Sequence, residues 1–302
     1  MKFSLWTSNS RPWAEVLDLA TYADSSGWHS MWFADHFMSQ TTDDTPGTDP
    51  ALECWTVLAA LAVAVPRLRL TSMVSPVTIH HPVVLAKRVA TVDQISGGRA
   101  VLGLGAGWQI NEHAAYGFEL PEPRERVTRF IEAIEVIRRL LDDQSANFSG
   151  RHYTVTNAPF EPKGVQAPLP LLVGTSGARM LEATARFANE WNTWGDPSTV
   201  RTVTEKFAAA CDRVGTDPST IRRSAQAMVF FTNDDASRRT MLERAPAGRS
   251  IVGNGAQIAE VIAQYAADGV DEFALTEFTL GKSAAQRRES IERFHEEVAS
   301  QF

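Results

Sequence analysis

The sequence predicts an α/β fold, a (β/α)8 TIM barrel running over residues 1–302 as one domain, with an insertion around residues 142–169. Three observations lead there. Short β-branched or aromatic runs alternate with longer helical patterns almost from end to end, and repeated βα units imply a parallel sheet with right-handed crossovers. Eight such units follow one another within the 302 residues, which favours a closed barrel over the runner-up, an open doubly wound sheet. The composition, 44% hydrophobic and 22% charged, is that of a chain able to bury a full core.

The units read in order as follows. Phe3 to Thr7 is a first strand, and Trp13 to Ser25 carries apolar residues at helical spacing. Ser30 to Ala34 is a second strand; Leu52 to Val65 is a buried helix stopped by Pro66. Arg67 to Met73 is a third strand. The next helix takes Pro82 in its first turn, runs to Ile95 and ends at Gly97-Gly98. Ala100 to Leu104 is a fourth strand and Arg124 to Leu141 a strongly amphipathic helix. The alternation then breaks at the insertion, where NFSGRHYTV suggests a hairpin ahead of a Pro-rich stretch. It resumes with the strand Leu171 to Val173, the helix Ala178 to Ala188, the strand Trp191 to Trp194 and a helix over Ser198 to Val214. Ala225 to Phe231 is a strand. After an irregular stretch come the helix Ala256 to Asp268, the strand Glu272 to Thr276 and the helix Ala284 to Ala299.

Composition also excludes functions. Thirty-six acids against 29 bases give a formal charge of −7 with no basic stripe, so nucleic acid is not an expected partner. The longest apolar stretch, Val57 to Val65, falls far short of the ~20 residues of a membrane span. The start, MKFSLWTSN, has no secretory pattern, and only two cysteines, Cys54 and Cys211, occur. A cytoplasmic protein acting on a small molecule is expected.

On a barrel, function belongs to the loops after the strands. Asp35-His36 follows the second strand directly: an acid–base pair near neutral pH, or a strand-end cap beside a surface histidine. His80-His81 lacks the spacing or company of a metal site, and none is expected. Gly103 to Gly107 (GLGAG) is not a complete dinucleotide fingerprint, because Trp108 stands at its sixth position; glycines here suit close approach of a flat ligand. Gly174, Thr175, Ser176 and Gly177 open a helix, as an anion site or as a simple tight turn. Trp6, Trp108 and Trp194 lie at or near strand ends, where they can wall a planar ligand. Glu277, after the last strand, reads as a solvated loop acid.

Together, ADHF, the segment LTSMVSPVTIHHPVVLAKRVATVDQISGGRAVLGLGAGWQINEHAAYG and VGTSGARMLEATARFANEWN resemble the bacterial-luciferase-like superfamily, in its branch of oxidoreductases that use the deazaflavin coenzyme F420. The resemblance implies a (β/α)8 barrel, usually a homodimer, with the cofactor ring at the carboxyl mouth. It places Asp35 against the deazaflavin and His36 at the reacting face. It puts the ring support on Ser72, Met73, Val74 and Ser75, a further contact on Asn111, and the phosphate on Gly174, Thr175, Ser176 and Gly177. A non-proline cis peptide of related barrels maps to Ser72–Met73. The sequence departs from the glucose-6-phosphate dehydrogenase of this branch at Gln40 and Trp108, where that enzyme has a catalytic Trp and a catalytic Glu, and His80 replaces an arginine. Sugar-phosphate oxidation is therefore not expected. The expected activity is hydride transfer between F420 and a small organic substrate, with His36 moving the proton and Trp6 and Trp108 in the substrate pocket. The alternatives are an FMN-dependent monooxygenase with a partner reductase, and a non-catalytic flavin-binding barrel. Ser39 to Asp49, rich in Thr, Asp and Gly, is expected to form a mobile lid.

Overall fold

The computed structural model describes residues 1–302. Along the chain run β1 (Lys2–Thr7), α1 (Trp13–Ser25), β2 (Ser30–Phe33), α2 (Cys54–Ala64), β3 (Arg69–Ser72), β4 (Ser75–Pro76), α3 (Pro82–Ser96), β5 (Ala100–Gly105), α4 (Ile110–Tyr116) and α5 (Pro123–Asp142). Then follow β6 (Ser145–Ser149), β7 (Thr154–Pro159), β8 (Leu171–Gly174), α6 (Ala178–Phe187), β9 (Glu190–Trp194), α7 (Pro197–Val214) and β10 (Arg222–Phe231). The chain ends with α8 (Asp235–Arg244), β11 (Ser250–Gly253), α9 (Gly255–Ala267), β12 (Glu272–Thr276) and α10 (Ala284–Glu297).

The strands β1, β2, β3, β5, β8, β9, β10 and β12 pair in that order, all parallel, and β12 returns to β1, so the predicted barrel closes. Alternation sorts their side chains. Leu5, Met31, Phe33, Leu70, Leu102, Leu171, Val173, Ala225, Phe273 and Leu275 join the helices in the main core. The other set includes Trp32, Met73, Val101, Leu172 and Ala274, a separate apolar cluster that Trp6 and Val74 flank. This plug forms the floor of the mouth.

Helix ends follow the sequence signals. Pro82 starts α3, His81 accepts from the Val83 N–H, and Gly97 stops the helix in the left-handed region at φ +68°. Asn254 with Gln257, and Ser283 with Gln286, form capping boxes on α9 and α10. The insertion contains the antiparallel β6–β7 hairpin. Three elements escape the sequence pattern. α4 has seven residues, too few to show a period; α8 buries none of its side chains, so it has no apolar stripe; β11 is a four-residue strand alongside the end of β10.

The third strand also differs from expectation. It stops at Ser72 and its pairing with β5 resumes only at Ser75. The cis peptide lies one bond later than expected, at Met73–Val74 and not at Ser72–Met73. Between the two pairings, Ser72 Oγ both donates to the Gly103 carbonyl and accepts from the Gly103 N–H, each at 3.1 Å. The glycines of β5 serve this bulge. A Cβ on Gly103 would overlap the Ser72 carbonyl, and one on Gly105 would stand 2.6 Å from Val74 Cγ2. Their missing side chains admit the neighbouring strand.

Candidate active site

A cavity of about 860 Å³ opens at the carboxyl ends of the strands. Of the residues singled out in the sequence, His36, Met73, Gly174, Thr175, Ser176, Trp6 and Trp108 line it, as do Val74, Gln40 and Trp194. Asp35, Ser72, Ser75, Asn111 and Gly177 do not. The difference is informative, because four of these five are spent inside the protein.

Asp35 is buried behind the wall. Its Oδ2 accepts from Ser75 Oγ at 2.5 Å and lies 3.0 Å from His80 Nε2; Trp55 Nε1 donates to the same serine. Burial alone would raise the Asp35 carboxyl, but the hydrogen bond and charge of His80, with help from Ser75, hold it below the usual carboxylate range. His80 in turn meets Arg88 at 3.0 Å. The adjacent histidines thus part company, His80 facing Asp35 and His81 capping α3.

Asn111 is 2% exposed, and its amide donates to the carbonyls of Ser39 and Thr45. Gln109 Nε2 donates likewise to the Met38 carbonyl, and His113 ties Thr78 Oγ1 to the Gln109 carbonyl. The short helix α4 is therefore a clamp over residues 38–45. That segment has no regular secondary structure, and the far part of the lid region, residues 42–46, is exposed.

His36 is the titratable group at the centre of the wall. Its ring meets Trp108 edge-on at 5.5 Å, and its carbonyl accepts from Asn9 Nδ2 at 2.7 Å. Nδ1 stands 2.8 Å from Glu112 Oε1, while Glu112 Oε2 accepts from the Phe37 N–H at 2.9 Å. Glu112 is fully buried. Nothing in the sequence marked it beyond its place beside Asn111. Trp6 packs edge-on against Trp194 at 5.5 Å and Phe278 at 5.2 Å, which makes an aromatic wall facing the glycine loop.

That loop is set by β9. The Thr175 N–H donates to the Asn192 carbonyl at 3.0 Å, Trp191 Nε1 donates to the Thr175 carbonyl at 2.9 Å, and the indole is stacked on Phe207. Gly177 caps α6 without any side-chain acceptor, whereas α7, α9 and α10 are each capped by a side chain. Its first-turn N–H groups remain available to an anion. Beyond the loop a second cavity, of about 590 Å³, is lined by Arg124, Glu125, Thr128, Arg151 and Arg179. Glu125 pairs with Arg151, whereas Arg179 is held by the Arg124 carbonyl and Thr128 Oγ1.

Glu277 corrects the reading of a solvated acid. It is 1% exposed and accepts from the Ser8 N–H at 3.0 Å and from Arg11 Nε at 2.7 Å, which anchors the loop after β1.

Comparison with known proteins agrees with this architecture. The family described as luciferase-like monooxygenase matches residues 1–296. An F420-dependent glucose-6-phosphate dehydrogenase from Kineococcus radiotolerans is 34% identical over 164 residues, 54% of this chain and 47% of that protein. An F420-dependent hydroxymycolic acid dehydrogenase from Mycobacterium tuberculosis is 26% identical over 221 residues, 73% of this chain and 60% of that one. The chain thus spans about half the length of the curated relatives it matches. The F420-dependent tetrahydromethanopterin reductase of Methanopyrus kandleri superposes with a TM-score of 0.82 at 18% identity, covering 100% of this chain and 99% of that one.

Proposed function

Because the chain belongs to the luciferase-like monooxygenase family, we propose that it is an oxidoreductase moving a hydride between coenzyme F420 and a small organic substrate. One observation carries the reading: a single cavity holds a free imidazole nitrogen, the Met73–Val74 bulge and an uncapped helix start. The residues fit such a cofactor. Met73, Val74 and Ala106 offer an apolar support for a flat ring, and Ser176 with the first turn of α6 offers N–H groups to a phosphate. Arg124, Arg151 and Arg179 place positive charge just past that loop, which suits anionic groups extending beyond the phosphate, as in F420, better than FMN. The names of curated relatives support the same cofactor.

When bound, the deazaflavin supplies a two-electron hydride carrier. The chain supplies the rest. Trp6, Trp194, Phe278 and Trp108 give the substrate an aromatic wall. His36 moves the proton that must accompany hydride transfer to or from a carbonyl, imine or enone. Asp35, Ser72 and Ser75 act one layer back, holding His80 and the strand-three bulge. Asn111 acts on the lid segment.

Fluorescence titration of the cofactor-free protein with F420 and FMN tests the reading. F420 is expected to saturate at lower concentration. Tighter binding of FMN supports the monooxygenase alternative instead, and binding without turnover on any carbonyl, alcohol or enone supports the non-catalytic one. A homodimer is proposed as well, since Val63, Val84 and Ile95 leave an apolar surface on the adjoining helices α2 and α3; sedimentation measures it. No helix is long and apolar enough to cross a membrane. The two cysteines are buried and unpaired, as suits a reducing compartment such as the cytoplasm.

A further inference from the structure

Glu112 is a carboxylate with 0% exposure whose only ion-pair partner is an imidazole. Burying a charge this completely is costly unless it is paired. Its two oxygens accept from two groups only, His36 Nδ1 at 2.8 Å and the Phe37 N–H at 2.9 Å. As a mere anchor for the Phe37 backbone, a neutral glutamine would serve at lower desolvation cost. The carboxylate gains an advantage only when the imidazole beside it gains charge. Two bare acceptors cannot rest 2.8 Å apart, so a proton lies between Nδ1 and Oε1. The second oxygen's backbone hydrogen bond favours the ionised carboxylate, which places that proton on Nδ1.

We propose that Glu112 is the positioning residue for His36: it holds the ring in the Nδ1–H tautomer, leaves Nε2 as the proton-transferring atom facing the cavity, and stabilises the imidazolium. No protein group takes up Nε2, and the 20% exposure of the His36 side chain lies towards the cavity it lines. Of other charged groups, Arg249, just before β11, lines the same cavity. Asp35 is adjacent, but its Oδ2 is already committed to His80 and Ser75. From the glycine turn comes Trp108, which carries no charge. Glu112 itself is held in place by Asn111, whose Oδ1 accepts from the Glu112 N–H at 2.9 Å, and by its location in the first turn of α4, where an anion is favoured. In carbonyl reduction, the substrate carbon receives the hydride and its oxygen takes the proton from Nε2. The imidazole is left neutral, with its other proton still on Nδ1, and it regains the lost proton from solvent. The inference rests on His36 being the proton carrier.

The test compares wild type, Glu112→Gln and Glu112→Asp. Glutamine keeps the volume, and it can accept from the Phe37 N–H while its amide donates to Nδ1, so the variant folds with the tautomer reversed. Nitrogen-15 spectra of histidine-labelled protein without cofactor, assigned with His36→Gln, should show Nδ1–H in wild type and Nε2–H in Glu112→Gln. Turnover of Glu112→Gln should fall about 10–100-fold. The His36-dependent limb of its pH profile should move lower, since an anionic partner is lost. Glu112→Asp should return the limb towards its wild-type position. An Nε2–H tautomer in wild type overturns the proposal, and so does an unmoved pH profile in Glu112→Gln. The spectra need neither F420 nor substrate, so a failure of the cofactor reading leaves this result standing by itself.

Discussion

Strand β2 has a histidine just beyond each end, and the two meet opposite surroundings. His29 sits at the amino ends of the strands, among Lys2, Arg69 and Arg222. Burial first, then those three cations, push its pKa down to about 3. Its Nε2 meets Arg222 at 3.2 Å, as an acceptor should. Around it the charges close on each other: Arg69 pairs with Glu190 at 2.6 Å, and Ser4 donates to Glu272. Burial, with Glu190 nearby, raises the Glu272 carboxyl above the usual range. His36, seven residues on, has a carboxylate behind it and a cavity in front. The lower end closes its charges on one another, while at the upper end the second ring nitrogen of His36 has no protein partner. Residue type is the same; the sign of the neighbouring charge and the access to solvent keep one histidine enclosed and neutral and leave the other at a cavity beside a carboxylate.

The sharpest way to break this contrast is to remove each histidine in turn. His36→Ala should lower the chemical step by ~10²–10⁴-fold in single-turnover measurements, with much less change in cofactor affinity. His29→Ala should leave that rate nearly intact, and equal losses in both variants would erase the distinction. Next in size is the lower end. Arg69→Met leaves Glu190 buried without its partner and should cost about 3 kcal/mol in urea unfolding, with turnover per folded molecule unchanged. The lid clamp comes third. Asn111→Ala removes two hydrogen bonds to Ser39 and Thr45 carbonyls, worth about 1 kcal/mol each. Faster amide exchange across residues 39–45 and a roughly tenfold rise in KM are expected; unchanged exchange would detach α4 from the lid.

The smallest effect is one of pH. His29 is neutral when folded, so between its unfolded value and about 3 the unfolded chain binds more protons. Its contribution to stability is full above the ordinary histidine range and is lost as pH falls towards 3. Wild type should therefore weaken between pH 7 and 5.5 more than His29→Gln does. Parallel stability curves for the two would mean that His29 is charged in the fold.

Much of this was readable along the chain. The Asp35-His36 dipeptide and the Gly174 to Gly177 loop were located because both follow strands with clear runs, and barrel geometry puts such positions at the carboxyl mouth. Glu112 was not, because it pairs with His36 across 76 residues from a helix of seven, too short to advertise which face it buries. Asn111 was located, yet its amide holds the lid segment from outside the cavity lining. Glu277 looked solvated because a lone acid after a strand gives no hint that Arg11 and the Ser8 N–H will enclose it.

What the sequence determined by itself was the alternation of elements, the parallel barrel and the strand ends where a site would form. Those depend on local periodicity, caps and the handedness of βα crossovers, which neighbouring residues impose on one another. Tertiary structure alone decided which groups at those ends remain free. Closing the ring brought Ser72 against Gly103, Asp35 against His80, and Glu112 against His36, pairs separated by 31 to 76 residues. Hydrogen bonding and the cost of buried charge act through space, so only the closed barrel settles that His36 gives Nδ1 to Glu112 and lines the cavity while Asp35 Oδ2 turns to His80 and Ser75.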